Sequence, residues 1–123
     1  MTTTQAIKRA DSMVPNTYTH PEKLRWLTVL DRRIQGEIID RYEGGGNTAP
    51  REYEEDAIDS ELLVPPPYDE MYIHWIAAMI HYANGEMPRY NNSLARFDAD
   101  YIAFAQQYAQ DHMPRTSGRR FAF

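Results

Sequence analysis

Six large side chains, Tyr90, Leu94, Phe97, Tyr101, Phe104 and Tyr108, recur at alternating steps of four and three. Only an α-helix, at about 3.6 residues per turn, gathers such a series on one face; a strand scatters it over both. Pro88 in the first turn and Met113-Pro114 beyond the end predict a helix from about Pro88 to Asp111. A face this aromatic needs apolar cover, and the preceding segment supplies it. Tyr72, Trp75 or Ile76, Met79 or Ile80, and Ala83 build a wide apolar face, with Asp69 as a suitable cap and Asn84-Gly85 as the end. The tight turn between the two predicts an antiparallel helical hairpin whose aromatic seam forms much of the core.

Two further helices precede the hairpin. From about Thr4 to Met13, Ile7, Ala10 and Met13 or Val14 are spaced three to four apart, and Pro15-Asn16 closes the segment. A helix this short is stabilised mainly by docking its apolar stripe. The next begins with Thr19 as cap, Pro21 in the first turn and Glu22 at the capping-box position. Leu24, Leu27, Leu30, Ile34, Ile38 and Tyr42 share one face, and Gly44-Gly45-Gly46 terminates the run. Lys23, Arg25, Asp31, Arg32, Arg33, Glu37, Asp40 and Arg41 mix both signs and read as a solvated surface.

The expected fold class is therefore all-α, with about four helices, the antiparallel C-terminal hairpin, and one long loop at 44–67 with room for a short β-hairpin between Arg51 and Val64. A chain of 123 residues with 42% hydrophobic residues has the size and composition for one modest core. Residues 1–114 are expected to form that single domain and 115–123 a basic tail. Charge is unevenly spread over these parts. Between residues 44 and 70, eight acids, among them Glu54, Glu55 and Asp56, stand against Arg51 alone, whereas Arg115, Arg119 and Arg120 of the tail face no acid. A basic tail with Phe121 and Phe123 as apolar anchors suits an acidic surface on a neighbouring copy or partner. Head-to-tail contacts between such different patches close into rings when the rotation permits. Tyr53 and Tyr68, near element ends, are candidates for the same kind of contact, since aromatic residues are enriched at interfaces.

The formal charge of −5 and a pI near 5.3 weigh against general affinity for nucleic acid, which needs an excess of Lys and Arg. With no cysteine, disulfides and thiolate metal sites are excluded. The first thirteen residues resemble neither a signal peptide nor a spanning helix, so neither secretion nor a membrane is expected. Glu70, His74 and His81 line one helix, but histidines seven residues apart are too distant to share a metal ion as an i, i+4 pair does. No nucleophile elbow is present, the triple glycine lacks the Lys-Ser/Thr of a phosphate loop, and Asp98 and Asp100 fall on different helix faces. The expectation is a non-enzymatic protein without metal or other cofactor.

Several segments together resemble a family. Pro15-Asn16-Thr17-Tyr18 leads into Lys23-Leu24-Arg25-Trp26-Leu27. Leu62-Leu63-Val64-Pro65-Pro66-Pro67-Tyr68-Asp69 follows, then Tyr82-Ala83-Asn84-Gly85-Glu86 and Arg89-Tyr90-Asn91-Asn92-Ser93. Over roughly residues 5–114 this pattern is similar to the small head-to-tail connector, or adaptor, proteins of tailed phages and prophages. The resemblance implies a mostly helical virion subunit, assembled in the host bacterial cytoplasm into a homo-oligomeric ring, commonly a dodecamer. Such a ring lies between the portal protein and the stopper or tail-completion protein, and phage DNA passes through it without specific binding. It brings no catalytic residues. The alternative from another class is a small regulatory or DNA-associated helical protein, supported by Arg25, Arg32 and Arg33 on the second helix.

Overall fold

The structure, a computed structural model, describes residues 1–42, 53 and 59–112. Its elements are α1 (Thr3–Met13), α2 (His20–Glu37), a 3-10 turn (Ile39–Arg41), α3 (Glu70–Ala83) and α4 (Met87–Asp111). The fold is all-α. One antiparallel bridge pairs Thr2 with Glu61. The segment in which a β-hairpin was expected falls mostly outside the described residues.

Helix α3 is the centre. Met71, Tyr72, Ile73, Ile76, Ala77, Ala78 and Ile80 are buried, and together they occupy nearly every side of the helix. A helix apolar all round must be enclosed, and α1, α2 and α4 all pack on it. Against α4 the rings meet in sequence: Tyr82 with Tyr90 at 5.3 Å, Trp75 with Phe97 at 5.0 Å, and Tyr68, just before α3, with Phe104 at 5.9 Å. Numbers fall along one segment as they rise along the other, which is the order an antiparallel pair requires. Gly85, at φ +75°, turns the chain between them in a conformation that glycine adopts without a Cβ clash.

Both N-terminal helices start on full capping boxes. Thr2 with Gln5 opens α1, and Thr19 with Glu22 opens α2. Leu24, Leu27, Leu30, Ile34 and Ile38 are buried as their spacing predicts. Helix α2 nevertheless ends at Glu37, earlier than the triple glycine, and tightens into the 3-10 turn, so that Tyr42 lies extended with its ring 5.4 Å from that of Tyr108. On α1, Ala6, Ile7 and Ala10 are buried while Met13 is exposed, and Val14 takes the packing position.

Residues 59–64 cross the N-terminal end of the fold. Thr3 N–H donates to Ser60 O at 2.9 Å and Leu62 N–H to Met1 O at 3.0 Å, while Leu62 and Val64 enter the core. Asp69 occupies the position before α3, but its side chain makes no capping bond; it is buried, 3.7 Å from the Met1 ammonium.

Candidate partner-binding surface

The mixed-sign face of α2 is not wholly a solvated surface. Asp31 is completely buried and Lys23 is 4% exposed. Lys23 Nζ reaches Asp11 Oδ1 at 2.8 Å, and Asn16 Nδ2 donates to the same oxygen at 2.9 Å, so the pair ties α1 to α2. Asp31 accepts from the Tyr72 phenol at 2.6 Å, from the Tyr53 phenol, and from Leu63 N–H at 3.2 Å. A buried carboxylate is tolerable only when donors replace its lost water. Here they come from α3 and the long connection. The signal for this was present in the spacing: Asp31 stands four residues after Leu27 and three before Ile34, on the apolar stripe itself.

That arrangement decides the place of Tyr53. Its amide donates to Thr28 Oγ1 at 3.0 Å, its hydroxyl to Asp31, and its side chain is buried in the chain's own core. A tyrosine is readily buried when its hydroxyl finds an acceptor, and Asp31 is that acceptor. Tyr72 has the same role from the other side. Burial first, then the Asp31 charge, pushes its phenol far above the ordinary tyrosine range. The three side chains of this knot, Asp31, Tyr53 and Tyr72, are buried, and its chemistry is that of a clasp.

Tyr68, the other described residue among the expected contacts, is half-buried beside an apolar groove of about 430 Å³. Leu63, Pro65 and Pro66 wall one side, and Phe104 and Tyr108 of α4 wall the other. The prolines carry no N–H, so this wall presents little that needs a hydrogen-bond partner. His112 stacks on Tyr108 at 3.8 Å, and Asp111, exposed at the mouth, accepts two bonds from Gln107 Nε2 at 3.0 Å. Glu54, Glu55, Asp56, Arg115, Arg119, Arg120, Phe121 and Phe123 lie outside the described residues.

Farther along α4, Arg33 stands 4.7 Å from the centre of the Tyr101 ring and binds Glu37 at 3.0 Å, while the Tyr101 hydroxyl donates to Glu37. The cluster fastens α2 to α4 and occupies one of the arginines on which a DNA-associated reading depends. The three candidate ligands on α3 part company: Glu70 pairs with Arg9 at 2.8 Å, His81 Nδ1 lies 2.8 Å from Glu86 Oε1, and burial lowers the basicity of His74. Among the described residues no group of three His, Cys, Asp or Glu side chains is placed to hold a metal ion, and no helix is long and apolar enough to cross a membrane. Comparison with known proteins finds no family model, curated protein or solved structure that matches the chain.

Proposed function

We propose that the chain is a structural, non-enzymatic subunit of a phage head-to-tail connector ring, joining the portal to stopper or tail-completion proteins within the virion. One observation carries the reading beyond the sequence resemblance: segments that bear the resemblance are joined to one another as framework. Tyr18 packs edge-on against Trp26 at 5.8 Å and donates to Asn84 Oδ1 at 2.6 Å. The Trp26 carbonyl accepts from Trp75 Nε1 at 2.9 Å, and Leu62 and Val64 lie in the core. Residues used this way specify shape, the property on which a ring subunit depends. Symmetry then repeats each modest contact around the ring, so the assembly is held more strongly than any one pair of copies.

Native mass measurement of the whole protein, alone and with purified portal rings, tests the proposal. A closed ring or a portal adduct is the expected result. A strict monomer that ignores portal rings overturns it, and binding to duplex DNA that weakens steeply with salt favours the DNA-associated alternative instead.

A further inference from the structure

The groove between the proline segment and the end of α4 joins two features that the fold leaves side by side. Its walls are apolar, and its volume of about 430 Å³ lies within the range of roughly 300–1,000 Å³ that takes a drug-sized group. Its mouth is acidic. Asp111 is exposed there, beside His112. An apolar slot with an acidic mouth recognises a segment that carries aromatic anchors beside basic residues.

The chain itself contains one such segment. Residues 113–123 follow directly on His112, hold Arg115, Arg119 and Arg120 with no acid, and include Phe121 and Phe123. Fully extended, these eleven residues span at most about 35 Å. We infer that the groove formed by Leu63, Pro65, Pro66, Tyr68, Phe104 and Tyr108 receives residues 115–123 of a neighbouring copy, with Phe121 or Phe123 in the slot and the arginines against Asp111. The inference rests on the ring reading, because groove and tail are different patches of one chain, and a contact between them repeated in one rotational sense is what closes a ring.

Two full-length variants test it. In one, Gln107→Lys with Asp111→Lys reverses the charge at the groove mouth on an exposed part of α4 with good helix formers; in the other, Phe121→Ser with Phe123→Ser removes the anchors. Pro65→Arg, which obstructs the slot from the opposite wall, is an independent check should the lysine pair disturb the helix. Native mass measurement over a concentration series is expected to show wild-type rings, and each variant alone monomeric to at least tenfold higher concentration. Mixed one to one, the groove variant and the tail variant still share one intact groove and one intact tail, and are expected to form a dimer that grows no further. Rings from both variants as readily as from wild type overturn the groove contact and leave the ring reading standing. A wild-type monomer, with no dimer in the mixture, overturns both. A wild-type monomer whose thermal midpoint drops in both variants places the tail in its own groove and overturns the exchange between copies.

Discussion

The Tyr72 phenol stands between Asp31 and the long connection: it donates to Asp31 Oδ1 at 2.6 Å and accepts from Val64 N–H at 2.9 Å. Both neighbours are buried, so neither can turn to water instead. Tyr72→Phe keeps the ring and its packing but strands the Val64 amide and a carboxylate lone pair. An unsatisfied buried group costs about 1–3 kcal/mol. The unfolding free energy of Tyr72→Phe in a urea titration is therefore expected to fall by that amount, as a lower midpoint with little change in slope. An unchanged midpoint would show that water reaches Val64 and that the bond contributes nothing.

Removing the carboxylate is expected to cost more. Asp31→Ala takes the acceptor from two phenols and the Leu63 amide at once, and each buried group left unsatisfied costs about 1–3 kcal/mol. The losses are not additive, because the groups share one site. Asp31→Ala combined with Tyr72→Phe is expected to unfold at a urea concentration above that given by summing the single effects. Strict additivity would mean that the two residues do not communicate.

Why this clasp was hidden while the helices were not follows from distance along the chain. Thr19 and Glu22 meet within one turn, and the six-membered seam of α4 repeats within three or four residues, so short windows contain the whole cause of both features. Asp31, in contrast, is made tolerable by Tyr53 and Tyr72, 22 and 41 positions away. Its place on the apolar stripe was visible, but its partners were not. The groove is more remote still, since Ile39, the proline segment and the last turns of α4, far apart along the chain, line it together. Tyr68 was legible as an element-end aromatic. Tyr53 had the same local signature, and its inward turn depends on a carboxylate from another helix.

At alkaline pH the tie between α2 and α4 is expected to respond through Tyr101. Burial, and then the bond to Glu37, raises its phenol from 10.0 to about 12. A raised folded-state pKa means that the contribution to stability is fully present below about pH 10, where the phenol is protonated folded or unfolded, and is lost as pH rises through about 12. Tyrosinate absorbance should show this phenol ionising late. Glu37→Gln removes the second cause and leaves the first, so the late phase is expected to move part of the way back towards 10. A complete return would assign the whole effect to Glu37.

The acid limb has a different origin. Asp59 Oδ1 accepts from Thr4 N–H at 2.9 Å and from Thr3 Oγ1 at 2.8 Å, at the start of α1, where unpaired amides and the helix dipole both favour an anion. These bonds, the Thr4 amide foremost, hold the carboxyl at about 2 against its usual 3.8. With the folded pKa depressed, the contribution is present above about pH 3.8 and disappears as pH falls through about 2. Asp59→Asn keeps an acceptor oxygen but has no charge to lose, so its stability should fall less than that of wild type between pH 4 and pH 2 when urea midpoints are compared. Because Ser60 O accepts from Thr3 N–H next door, the same titration also loosens the junction of α1 with the connection. Amide hydrogen exchange at Thr3 and Thr4 is therefore expected to quicken, relative to the intrinsic rate, before the α3 amides respond. Simultaneous loss of protection at α1 and α3 would instead make Asp59 one contributor to a single global transition.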